Sequence, residues 1–357
     1  MSFLGNLFSE KEKAAESVIL IDIRADSVAG AYVRYEEKSP PTVLYTRRMP
    51  IEVRKDETPD RAMLRALQLL GTDLIREGAP LLARATGSGS AEKILVSIDA
   101  PWQEISVRTE KFESGKPFVF TRELVAKKLK EVAATVPEKA LADESIIGTI
   151  LNGYETHAPY GRTVHRASVI VLSSLIEREV SLGITSTLGG LFHTKAILPI
   201  SGSSLRYQAM RTIFPHERDI VILDATSKSF TSIALVRKDI FVSMVQTAIP
   251  DTGDSATAWI TTITSELSEI AKRYPLPRTI FLLAQESDIP ALQQLLATTN
   301  FGSLWLSDNP PRVVALLQSH LSSMVRYTAS SPLDLGILFM TLYYQHQARL
   351  GETEAAV

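Results

Sequence analysis

The 357-residue sequence contains no cysteine, which excludes disulfides, thiolate metal sites and cysteine nucleophiles and suits a reducing, cytoplasmic compartment. Neither sign of charge predominates. Lysine and arginine number 38 against 40 aspartates and glutamates, and no long basic run is interleaved with aromatics, so nucleic acid is not an expected partner. Apolar runs of membrane length are missing too: a span needs about 20 residues, and the best candidate, Leu333 to Tyr344 (LDLGILFMTLYY), is too short. The opening residues MSFLGNLFSEKEKAAES have no basic region ahead of an apolar core, so no secretory signal is read there. Phe3, Leu4, Leu7 and Phe8 do fall at helical spacing before Lys11 and Lys13, a pattern able to touch a membrane surface. A frayed start, or a leader packed on its own domain, is the simpler reading.

Signals for chemistry are equally sparse. His157 and His165 flank a Pro159-Tyr160-Gly161 turn without a third ligand at metal-site spacing, so no metal is expected. Asp251-Thr252-Gly253 matches the aspartic-protease loop, but that chemistry needs two such loops and only one occurs. Lys127, Lys128 and Lys130 read as the solvated face of a helix whose apolar side is Leu124, Val125 and Leu129.

What the chain does have is a repeated design. Ile19 to Val33 (ILIDIRADSVAGAYV) and Ile220 to Val236 (IVILDATSKSFTSIALV) are each a branched apolar run ending in Asp, a short polar turn and a second apolar run. That is the pattern of a buried strand, a hairpin turn and a returning strand. The first copy continues into a third extended run, Val43 to Val53, and a helix predicted from Pro59 to about Glu77, with Thr58-Pro59-Asp60 marking its start. Arg84 to Glu92 (RATGSGSAE) reads as a flexible crossing between domains. The segment beyond, opening with the strand Lys93 to Asp99, has a β-β-α-β-β-α order that predicts a compact α+β unit. The second copy is followed by a strand at Ile240 to Thr247, a helix from about Asp254 to Tyr274 and a strand at Thr279 to Ala284.

These hairpins resemble the two phosphate-binding hairpins of the actin-like ATPases, the superfamily of sugar kinases, Hsp70 chaperones, FtsA and PilM. The family frames read approximately I-D-I-G-x-x-S-V-K and D-I-G-G-x-T-T; here they are Ile21-Asp22-Ile23-Arg24-Ala25-Asp26-Ser27-Val28 and Asp224-Ala225-Thr226-Ser227-Lys228-Ser229-Phe230-Thr231. Asn152-Gly153-Tyr154 with Pro159 and Gly161 matches a turn of the subdomain inserted in FtsA and PilM, and Gly336 among Leu335, Ile337, Leu338 and Phe339 is similar to their glycine-containing final helix. The resemblance implies a duplicated actin-like (ribonuclease H-like) α/β fold. Residues 1–88 would form its first half, 89–191 an inserted α+β (SHS2-like) subdomain, 192–350 its second half and 351–357 a tail.

The glycines of the family frames are replaced. Arg24, then Ala225, Thr226 and Ser227, and finally Ala284, Gln285 and Glu286 stand where glycine lets backbone N–H groups approach the nucleotide. The stretch Ile197 to Ser203 also lacks the Glu or Gln that orients the attacking water. The expectation is therefore a non-catalytic scaffold of a pilus, secretion or cell-division machine, with no catalytic residue and no bound cofactor. It would bind a cytoplasmic segment of a membrane protein, or a second copy of itself, with Asn152, Tyr154 and Tyr160 near the contact, and sit at the inner face of the cell membrane. Asp22, Ser27, Asp224, Ser227, Ser229 and Thr231 are the expected remnants of a nucleotide site, the two aspartates most simply capping their own turns. The alternative is a working ATPase that binds ATP and Mg²⁺ through those hydroxyls.

Overall fold

The computed structural model describes residues 16–355 apart from 38, 134–137, 157, 195, 239, 251–254, 302–303, 306–310 and 329–333. The amphipathic start at Phe3 to Phe8, His157 and the Asp251-Thr252-Gly253 stretch lie outside these residues.

Strands β1 (Glu16–Ile23), β2 (Ser27–Tyr35) and β3 (Thr42–Pro50) form an antiparallel meander, followed by α1 (Pro59–Asp73), a π-helical turn (Leu74–Gly78) and α2 (Ala79–Thr86). Then come β4 (Lys93–Ile98), β5 (Gln103–Val119), α3 (Arg122–Ala133), β6 (Lys139–Leu151), β7 (Tyr154–Glu155), β8 (Thr163–Glu177), α4 (Arg178–Phe192), β9 (Ile197–Ser201) and α5 (Gly202–Ile213). The remainder runs β10 (Ile220–Ala225), β11 (Phe230–Arg237), β12 (Ile240–Ala248), α6 (Ser255–Ala271), β13 (Thr279–Ala284), α7 (Ile289–Thr298), β14 (Arg312–Ala315), α8 (Gln318–Leu321), β15 (Arg326–Tyr327) and α9 (Leu335–Ala355).

The duplication expected from the hairpins is present in the sheets. One has the order β15-β3-β2-β1-β4-β9 and the other β12-β11-β10-β13-β14, so apart from the short β15 each is a three-stranded meander extended by two parallel strands. The unbroken apolar runs of β1 and β10 follow from burial on both faces. Ile19, Ile21 and Ile23 pack under α1 and α4, whereas Val18 and Leu20 join the core between the sheets that α5 and α9 fill. In the second half Val221 and Leu223 pack against α6 and α7, while Ile220 and Ile222 face the same central core.

The insertion is narrower than 89–191. Strand β4 lies in the first sheet between β1 and β9, in parallel register from Val18↔Lys93 to Ile23↔Ile98, because its alternate residues serve the same two cores as β1. Arg84 to Glu92 is accordingly a connection within the first half, with Glu92 N–H bonded to the Ser17 carbonyl at 3.1 Å. Helix α4 packs on α1, the Leu64 side chain filling the notch at Gly183, and β9 closes the first sheet. What is inserted is therefore a four-stranded antiparallel sheet, β5-β8-β6-β7, with α3 on one face over Phe112, Phe120, Val169 and Val171. Its other face adds Ile147, Ile170 and Leu172 to the central core beside Ile240 and Phe241, so the insertion leans on the second half.

Candidate functional site

Ligands of open α/β sheets bind beyond the carboxyl ends of the parallel strands. Here those ends carry Asp22 on β1, Asp99 just after β4 and Asp224 on β10, all buried. The fourth carboxylate, Asp334, precedes α9 and caps it, its Oδ1 accepting the Ile337 N–H at 3.1 Å.

Three guanidiniums fill the space among them. Arg24 Nε and Arg48 Nη2 donate to Asp22 Oδ2 at 2.8 and 2.7 Å, and Ser97 Oγ donates to Asp22 Oδ1 at 3.1 Å. Arg48 also grips Asp334 through Nε and Nη2 at 2.6 and 3.0 Å. Arg206, on α5, makes a two-pronged pair with Asp99 at 2.9 and 2.8 Å, and its Nε faces Asp224 of the second hairpin. A single side chain thus ties the β4 end of the first half to the β10 end of the second. Such fork-to-carboxylate pairs fix geometry as well as charge.

Water contributes little to this cluster: Asp22 is 1% exposed, Arg24 3% and Arg206 5%. Burial by itself would push the Asp22 carboxyl up, yet Arg24, Arg48 and Arg206 outweigh it and hold the group well below the usual carboxylate range. Burial opposes ionisation of Asp334 as well, and Arg48 again brings its pKa below the ordinary value. Asp22 does not cap its own turn, contrary to expectation, because the guanidiniums take its oxygens; that turn is closed instead by the Arg24 N–H on the Ser27 carbonyl at 2.9 Å. Asp224 does cap its turn, Oδ1 accepting from the Thr226 N–H at 3.1 Å and hydroxyl at 2.6 Å.

The remaining expected nucleotide residues are bonded to the protein itself. Ser27 Oγ accepts from Arg48 Nη1 at 2.9 Å, Ser227 Oγ accepts the Ser229 N–H at 3.3 Å, and the buried Thr231 hydroxyl accepts from Trp259 Nε1 at 3.0 Å, away from the cleft. Sequence reasoning did not single out Arg48, Asp99, Arg206 or Asp334. Asp99 carried the available signal, since KILVSID ends in Asp just as the two hairpin strands do.

Gly336 is the residue that lets α9 start against this cluster. A Cβ there would lie 2.5 Å from Asp22 Oδ2 and nearer still to Arg24 Nη2. Gly336→Ala is therefore expected to destabilise the protein by about 1–3 kcal/mol, as overpacking at a tight site does. Chemical denaturation of the variant checks this, and a neutral result would mean that the cluster yields at little cost.

No protein-family model matches the chain, and no curated protein matches it. A solved structure does: a chain of a PilM-PilN type IV pilus biogenesis complex, aligned over 92% of this chain and 98% of its own, with a TM-score of 0.56 at 12% identity. The chain has the actin-like ATPase fold. Lower-scoring matches to this actin-like chain include a protein of that fold and unknown function from Bacteroides thetaiotaomicron, with TM-score 0.44, 10% identity, and 87% and 94% of the two chains covered. Another is the cytoplasmic domain of EpsL, an inner membrane component of the type II secretion system of Vibrio cholerae, with TM-score 0.40, 8% identity and 93% and 95% covered.

Within this actin-like frame, the residues present do not fit Mg²⁺·ATP. Turn amides that would meet phosphate are spent on the protein, as the Arg24 and Thr226 N–H bonds show. Three guanidiniums against four carboxylates leave the cluster formally negative, which repels a polyphosphate. The room left between Arg24, Arg48, Thr226, Gln285, Leu317 and Asp334 is about 60 Å³, enough for a few waters.

Proposed function

We propose that this protein is a non-catalytic actin-like scaffold that holds a cytoplasmic segment of a membrane protein. The observation that carries the non-catalytic half is the cleft itself, occupied by the protein's own ion pairs. The likeness to a chain of a PilM-PilN complex supports the adaptor half and a place in a pilus or secretion machine.

The binding site is a groove of about 560 Å³ where the insertion meets the first half, lined by Asp60, Pro101, Trp102, Glu138, Glu177 and Glu179, with Arg178 in its wall. Its carboxylates are exposed and its floor includes the Trp102 ring. Such a surface suits an extended basic segment, the kind that flanks membrane spans on the cytoplasmic side. Asn152, Tyr154 and Tyr160 are not part of this groove. Asn152 shapes the β6–β7 turn, its Oδ1 accepting the His165 and Arg166 N–H groups at 3.0 and 3.2 Å. Tyr154 sits beside Leu151↔Ala167, about 33 Å along β8 from Glu177 at the usual rise per residue.

Fluorescent peptides from the cytoplasmic tails of membrane proteins encoded beside this chain are the test. A basic tail is expected to bind, and Glu177→Lys with Glu179→Lys to weaken capture at least tenfold while the protein stays folded, with a small drop in melting temperature because both carboxylates sit at the N-terminus of α4. Capture indifferent to both reversals would place the site elsewhere. Mg²⁺·ATP is expected to leave the melting curve unmoved, whereas a nucleotide at 100 times its dissociation constant would add about 2.7 kcal/mol and restore the ATPase reading.

A further inference from the structure

The inserted sheet is polarised. Its end near the groove, residues 103–110, 138–149 and 169–177, carries six acidic against two basic residues; the opposite end, residues 111–130 and 150–168, carries eight basic against three acidic, Glu113, Glu123 and Glu155. That second end also exposes apolar surface that none of the described residues covers. Tyr154 is 79% exposed and Val119 51%. Strand register brings these groups to one rim: Val119 is opposite Thr163, Glu113 opposite Arg166, and Leu151 opposite both Tyr154 and Ala167. The rim is built rather than frayed. Tyr160 stacks on the buried Phe120 ring at 5.8 Å, the Arg122 guanidinium lies 5.1 Å over the Tyr160 ring, and the Gly161 N–H bonds the Phe120 carbonyl at 2.9 Å. Arg162 and Arg166 are exposed beside it.

We propose that this rim docks on an anionic lipid surface. Tyrosine rings and aliphatic tips flanked by lysine and arginine are what the headgroup region accepts, the ring entering the interface while the cations meet lipid phosphates. The excess of cations supplies the charge complementarity, and the acidic end of the sheet, repelled by the same surface, sets the orientation: rim toward the membrane, groove away from it. An acidic protein partner would satisfy the cations but would not account for a tyrosine and a valine standing outward among them.

The test is sedimentation of the full chain with vesicles of phosphatidylcholine alone or with 30% phosphatidylglycerol (about a third of the lipid, to supply negative charge). Binding to the anionic vesicles only is expected. Arg162→Ala with Arg166→Ala should weaken it about twentyfold, at roughly fivefold per cation near the surface. Tyr154→Ala should weaken it further with an unchanged melting curve, whereas Lys272→Ala with Arg273→Ala, exposed at the end of α6, should have no effect. Failure to bind anionic vesicles overturns the proposal. So does binding that all rim variants retain, which would assign attachment to another segment such as Phe3 to Phe8, and so does a rim that instead captures an acidic protein. Peptide capture by the groove is read separately, so either idea can fail alone.

Discussion

Arg206→Met is expected to cost the protein about 3–5 kcal/mol, the usual consequence of removing one partner from a buried ion cluster. Asp99 and Asp224 would be left facing each other's half without a counter-charge, in a site where Asp99 already receives both prongs of the guanidinium. Urea denaturation followed by fluorescence measures the loss. The triple change Asp99→Asn, Arg206→Met, Asp224→Asn removes the stranded charges and should recover part of it, a coupling that independent sites would not show. A single-variant loss under 1 kcal/mol would mean that Arg206 is dispensable and that the apolar core and the Arg48–Asp334 pair suffice to join the halves.

Acid should undo the same cluster. Asp22 has a folded pKa below its unfolded value of about 3.9. The unfolded chain therefore takes up its proton first on acidification, so this stabilisation is complete above that value and is lost as pH falls through the folded one. Asp334, also lowered, acts in the same direction. Unfolding free energy is expected to lose little from these groups between pH 8 and 5 and to drop steeply below pH 4. In Asp22→Asn the slope in that acid range should shrink by about one proton, while the variant itself is several kcal/mol less stable at neutral pH. An unchanged slope would mean that Asp22 titrates alike in both states.

Much of the architecture was legible because a strand buried on both faces leaves no polar residue in its run, and Ile19 to Asp22 and Ile220 to Asp224 break the rule only at their terminal aspartates. The hairpin turns were legible for the same reason. Assigning Lys93 to Asp99 was harder: a parallel strand looks alike whether it belongs to the old sheet or opens a new domain, and only its register with Val18 to Ile23 decides. The Gly/Ser run before it was misleading, since small residues serve a tight connection within a domain as well as a crossing between two. The cluster was half legible. Replacement of glycine by Arg24 announced that the first turn was altered, but the cluster it joins draws on β1, β3, β4, α5, β10 and the start of α9, with members up to 312 positions apart (Asp22 to Asp334). Asn152, Tyr154 and Tyr160 were recognised as a built turn, although the distance from Tyr154 to the groove depends on the length of β8.

That strand also makes the insertion a mechanical element. β8 runs 15 residues, about 50 Å, bonded along most of its length to β5 on one side and β6 on the other, and passes from Glu177 into α4 at Arg178 with no intervening residue. Helix α4 is in turn seated on α1. A pull or push applied at Tyr154 and Arg166 therefore reaches the first-half core along a continuous rod, without crossing a loop that could absorb it. Two attachments at opposite ends of such a rod would hold a fixed spacing under load, and the insertion would act as a strut.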